Sequence, residues 1–117
     1  MSKYVDVYLL PIAEKNIAAY REVAEKAGKI FCQNGALSYR EYVASDLKVM
    51  EGITSFPKAV ELLEGETLVY AAVEFESETH RNESMKRIFA DPEMKECEPL
   101  FDYKRMVYGG FAILVDE

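Results

Sequence analysis

Three strand carboxylates, Asp6, Glu41 and Glu74, lie among Tyr4, Tyr8, Tyr39 and Tyr70, and further along the chain His80 and Arg81 are adjacent. These are the side chains with the types and spacing to do chemistry. Burial raises a carboxylate's proton affinity and a second carboxylate nearby raises it further, which would make a proton-transfer group. If the three acids share one sheet face, they build a polar, aromatic-lined pocket suited to a small ring compound. Tyrosine–carboxylate hydrogen bonds at a subunit interface would use the same residues without a ligand. His80 is the single imidazole, so a general base of the ordinary neutral-pH kind would fall to it. The alternative is an exposed histidine in the first turn of a helix. With His80 set at 0° and roughly 100° per residue, Arg81 falls inside the stripe marked by Met85, Ile88 and Phe89. An arginine there must find an anion, because burying it unpaired is costly. Asp6, Glu41 or Glu74 could supply that anion, the side chain could run to the edge, or Arg81 could anchor the carboxylate or enolate of a ligand.

Other chemistries are poorly provided for. Cys32 and Cys97 are far apart and make no metal-ligand spacing, and with one histidine a zinc site lacks ligands. Cys32 beside Phe31 reads as an unreactive helical thiol, and Cys97 among acids is a poor thiolate. No metal and no cofactor are expected. A net charge of −7 without a basic stripe argues against nucleic acid and anionic membranes as partners. No charged-then-apolar leader opens the chain and no apolar run approaches ~20 residues, so a cytoplasmic location with reduced thiols is expected.

The elements that must position these residues follow from periodicity. Tyr4 to Leu10 alternates as a strand that Pro11 should end. Ile17, Tyr20, Ala24, Ala27 and Phe31 follow helical spacing between about Ala13 and Asn34, and Asn34-Gly35 supplies the stop. Ala36 to Ala44 is a strand, Ser45 to about Pro57 a loop, and Ala59 to Leu63 is either a helical turn or extended. Thr67 to Glu76, the most apolar strand, belongs in the sheet interior. Ser77 should cap a second helix that Asp91-Pro92 ends, with Pro92 opening one more short turn. A last strand runs from about Arg105 to Val115. All 117 residues read as one domain. The order β-α-β-β-α-β predicts an α+β, ferredoxin-like domain: a four-stranded antiparallel sheet with two helices on one face.

Splitting the strands by their period of two leaves large apolar or aromatic groups on both faces of the first and third strands. A sheet without a wet face must be covered twice, which a homodimer closing two sheets into a barrel would achieve. In Arg105-Met106-Val107-Tyr108-Gly109-Gly110-Phe111, the alternation reads as strand, while the two glycines mark a bulge or a close approach by the partner's strand. They are not a phosphate loop, since no helix follows. Arg105, Tyr108, Gly109, Gly110 and Phe111 are therefore expected at the dimer's structural centre.

That segment, with the opening Tyr4-Val5-Asp6 to Leu10-Pro11, Ala19-Tyr20-Arg21 and Gly35-Ala36-Leu37-Ser38-Tyr39, resembles the DUF1428, or YbaA-like, family of small bacterial proteins. Thr54-Ser55-Phe56-Pro57, His80-Arg81 and Asp91-Pro92 extend the match in the same order along nearly the whole chain. The resemblance implies a dimeric α+β barrel, in a superfamily of cofactor-free monooxygenases, haem-degrading enzymes and small-molecule binders. It implies no established activity and carries over no catalytic residue. The expected function is a homodimer with a pocket for a small organic or anionic ligand, either a binder or a cofactor-independent, oxygenase-like enzyme. The alternative is a non-enzymatic interaction or stress-associated protein whose dimer is the functional unit.

Overall fold

The computed structural model describes residues 3–95 and 100–117. The chain runs β1 (Tyr4–Ala13), a 3-10 turn (Glu14–Asn16), α1 (Ile17–Gln33), β2 (Ser38–Val43) and α2 (Phe56–Ala59). It continues through β3 (Glu66–Phe75), α3 (Glu78–Ala90), α4 (Pro92–Lys95), a 3-10 turn (Tyr103–Arg105) and β4 (Val107–Ala112). The strands form one antiparallel sheet in the order β2-β3-β1-β4. This is the ferredoxin-like arrangement expected from the element order. Ile30 and Phe31 of α1 and Ile88 of α3 pack on Val73 and Phe75, while Tyr20 packs on Leu10, Ile12 and Val69. The helices therefore cover the face that carries the even residues of β1 and the odd residues of β3.

Several local expectations need correction. Pro11 does not end β1, which continues to Ala13 paired with β3. Pairing with β4 stops at Leu9, so beyond it β1 is an edge on that side and a missing N–H costs no ladder bond. The segment after Ser55 is a short helix with Pro57 in its first turn, and Ser55 accepts from the Lys58 N–H at 3.4 Å. α1 ends at Asn34-Gly35 as expected, and Gly35 has φ +121°. A Cβ there would also lie 2.5 Å from Ser84 Oγ and 2.9 Å from His80 Nε2, so glycine lets the end of α1 rest against α3. Ser77 caps α3 by accepting from the His80 N–H at 3.1 Å. Phe89 lies off the packed stripe and is exposed, whereas Ser84 and Ile88 are fully buried.

β4 is shorter than expected and pairs with β1 from Val107 to Ala112 in continuous register, without a bulge. The two glycines serve two different faces. A Cβ on Gly110 would strike the Tyr4 hydroxyl and come within 2.8 Å of its ring, while one on Gly109 would meet the Phe111 ring at 3.2 Å. Each glycine thus vacates space for one aromatic side chain of its own sheet. Arg105 lies before the strand and joins it to β3, with 2.7 and 2.6 Å bonds to Glu66 and a 2.8 Å bond to Asp102.

Candidate functional site

Cross-strand register decides which residues meet. On the helix-covered face, Tyr108, Tyr8, Ala71 and Glu41 form one row across the sheet, and Gly110, Asp6, Val73 and Tyr39 form the next. Asp6, Glu41, Tyr8 and Tyr39 therefore share a face. Glu74 and Tyr70 do not: their even positions in β3 point to the open face, where Tyr70 stacks with Tyr42 at 5.7 Å and Glu74 pairs with Lys3 at 3.6 Å. The one-face pocket of three carboxylates is thus corrected to two, because a period of two in β3 separates Glu74 from Val73 and Phe75. Tyr42, Tyr70, Leu9 and Val107 make an apolar row on the open face, with Phe111 further along it.

The two helix-side carboxylates head separate clusters. At the β2 edge, a groove of ≈ 750 Å³ runs between α1 and the sheet. Its walls are largely apolar, with Ile17 and Ala24 on the helix and Val43 and Val69 on the sheet. Glu41 stands among them and accepts a hydrogen bond from the Tyr20 hydroxyl on one oxygen and from the Tyr39 hydroxyl on the other. Burial first, and the Glu41 hydrogen bond and charge after it, push the Tyr20 phenol far above its ordinary value. Burial and then the Glu41 charge do the same to Tyr39. Both phenols stay protonated and committed to Glu41. Gly28 of α1 makes this geometry possible, since a Cβ there would sit 2.8 Å from the Tyr39 ring. Arg21 and Lys29 lie along the mouth, with Arg21 Nε 3.3 Å from Glu25.

The second cluster lies toward β4. Asp6 is 1% exposed, and its Oδ1 accepts from Arg81 Nη1 at 2.7 Å and from the Tyr108 hydroxyl at 3.1 Å. Arg81 also reaches the Tyr108 oxygen at 2.7 Å and lies 4.7 Å above the centre of the Tyr4 ring. Asp6 Oδ2 is buried and has no hydrogen-bond partner among the described residues. Burial outweighs the Arg81 charge, and Asp6's pKa lies above the ordinary carboxylate value. Arg81 therefore takes its anion from within the chain. Tyr8 stands between the clusters, its ring 4.9 Å from that of Tyr108.

His80 belongs to neither carboxylate. Its Nδ1 accepts the Glu76 N–H at 3.1 Å and its ring meets the edge of Phe75, so it braces the start of α3. Tyr20 and Gly28 were not among the sequence candidates. Tyr20 carried a usable signal: a phenol inside a helix's buried stripe needs a polar partner across the packing surface. Cys32 is exposed and lines the groove, while Cys97 lies outside the described residues. Among the described residues no cluster could hold a metal ion and no helix is long and apolar enough to cross a membrane.

The comparisons with known proteins agree with this fold. The model of the family of unknown function DUF1428 matches residues 3–103. The chain belongs to the DUF1428 family. It is 41% identical over 118 residues to the protein YbaA of Escherichia coli strain K12, itself uncharacterized, covering 98% of this chain and 99% of that one. Among solved structures, a dimeric ferredoxin-like protein from an uncultured marine organism superposes with a TM-score of 0.66 at 8% identity, over 100% of both chains. A putative antibiotic biosynthesis monooxygenase from Bacillus cereus superposes with a TM-score of 0.57 at 13% identity, over 100% of this chain and 98% of that one. At such identities these likenesses establish the ferredoxin-like fold that the DUF1428 chain shares with them.

Proposed function

We propose that this protein is a homodimer that binds a small, largely apolar molecule in the groove between α1 and the β2 edge, against the Tyr20–Glu41–Tyr39 cluster. One observation carries the reading: an apolar groove of ≈ 750 Å³ with a single carboxylate on its sheet wall, held by two phenols. That volume is in the usual range for small-molecule sites, which combine apolar walls with few placed polar groups. The dimer is supported by the open sheet face, where Tyr42, Val107 and Phe111 are each half exposed or more. The dimeric ferredoxin-like relative of the same fold lends further support. An oxygenase-like enzyme would use Glu41 to take the proton of the bound molecule, because the groove lining contains no histidine.

The second reading, an interaction protein, draws on the apolar exposure of Val49, Met50, Ile53 and Phe56 around α2. Native mass spectrometry of freshly purified protein separates these. The groove reading expects a mass of two chains carrying a bound small molecule, which Glu41→Leu loses. A monomeric parent overturns the dimer, and a parent that takes up nothing from a small-molecule extract overturns the groove.

A further inference from the structure

The hydrogen-bond inventory of the groove constrains what it can hold. Within the Tyr20–Glu41–Tyr39 cluster every side-chain hydrogen is already spent, and the remaining phenol of the lining, Tyr42, belongs to the opposite alternation of β2, where its ring meets Tyr70. Tyr20 and Tyr39 each have one hydroxyl hydrogen, and both are donated to Glu41, one to each carboxylate oxygen. What remains is lone pairs: a carboxylate has about four acceptor positions, of which two are used, and each phenol oxygen can still accept. The charged donors among the lining side chains, Arg21 and Lys29, stand across the groove on exposed positions of α1. The formal charges of the lining cancel, with Arg21 and Lys29 against Glu25 and Glu41.

A ligand carboxylate, or a carbonyl without an N–H, would bring lone pairs against lone pairs at this wall. A hydroxyl or N–H would complete the pattern, and such a bond to a carboxylate is among the stronger neutral-to-charged ones. We infer that the groove selects an uncharged, largely apolar molecule that presents one hydroxyl or N–H to Glu41, and turns away anions at that end. This rests on the groove being a binding site. Gly28 supports the selection indirectly, since it allows the Tyr39 ring to lie where its hydroxyl reaches Glu41.

The test is calorimetric binding of four probes of one shape to the full chain: 2-naphthol, 2-methoxynaphthalene, 2-naphthoate and (2-naphthyl)methylammonium. The naphthol should bind roughly 10- to 100-fold more tightly than its methyl ether, the ratio for one hydrogen bond to a charged group. In Glu41→Gln the amide N–H claims one phenol oxygen and turns that phenol's hydrogen back into the groove. The ether should then gain and the preference should shrink below about threefold. If Glu41→Gln does not fold, Tyr20→Phe, which frees one carboxylate oxygen, should preserve or widen the preference. Equal binding of naphthol and ether overturns the selection while leaving the groove in place. So does tightest binding of the naphthoate or the ammonium, or an unchanged preference in Glu41→Gln. Failure of all four to bind at millimolar concentration removes the groove as a site, a different result from any of these.

Discussion

Arg81→Met puts the buried pair under the most informative strain. The substitution keeps a long apolar side chain on the α3 stripe but removes the 2.7 Å bond to Asp6 and the 2.7 Å bond to Tyr108. Asp6 would keep one donor, Tyr108 at 3.1 Å, while its Oδ2 already has none among the described residues. Removing one partner of a buried pair leaves an uncompensated charge and costs about 3–5 kcal/mol. Against a typical total of about 5–15 kcal/mol, and at roughly 4 °C per kcal/mol for a chain of this size, the melting temperature should fall by roughly 12–20 °C. Asp6→Asn should cost less, about 1–2 kcal/mol, because Arg81 retains Glu78 at 3.9 Å and solvent on its outer side. The double variant Asp6→Leu with Arg81→Met should recover most of the loss, since an apolar pair of similar volume is often no worse than a buried ion pair.

The pH dependence of that deficit has a definite sign. Asp6's folded pKa lies above the unfolded one, so between them the folded state holds more protons and stability falls as pH rises through that window. Without Arg81 the folded pKa rises further and the window widens upward. The Arg81→Met deficit, measured by urea unfolding, should therefore be largest near neutral pH and shrink as acid protonates Asp6 in both proteins. A loss below about 1 kcal/mol, or a deficit that does not change with pH, would refute the buried-pair account.

Two further perturbations follow from the same structure. Gly110→Ala should cost about 1–3 kcal/mol by driving a Cβ into the Tyr4 ring, whereas Gly109→Ala, facing the movable and exposed Phe111 ring, should cost under about 1 kcal/mol; equal losses would deny the two glycines their separate roles. Arg105→Ala should weaken the protein at neutral pH and matter less as acid is added. Arg105 holds Glu66 and Asp102 below their ordinary pKa values, so its stabilisation is present above that range and lost as pH falls through the lowered values. Unfolding curves that stay a constant distance apart down to acid pH would contradict this.

How far the sequence could be read depended on the kind of information each feature required. Element order and the Ser77 cap are local, and periodicity and hydrogen-bonding residues reveal them directly. Arg81's need for an anion was also legible, because a cation in an apolar helical stripe has few outlets, and Asp6 was among the partners it could find. Register was not legible: whether Glu74 joins Asp6 and Glu41 depends on which β3 residue faces Asp6, and it is Val73. The same limit hid the meaning of Gly109-Gly110, since the aromatic that needs Gly110's space comes from β1, over a hundred residues away. Pro11 misled because its effect depends on where β4 stops pairing. Helical spacing places Tyr20 in the core, where it lies, but its hydroxyl gains a second role only when α1 crosses the β2 edge opposite Glu41.

Two-dimensional amide NMR of the labelled full chain, titrated with 2-naphthol, would locate a ligand at the Tyr20–Glu41–Tyr39 cluster residue by residue. Binding in the groove should shift the amides of Gly28, Tyr39, Glu41 and Val69, on its helical and sheet walls. Shifts confined to Val7, Tyr70, Val107 and Phe111 on the open face, or none at saturation, would contradict it.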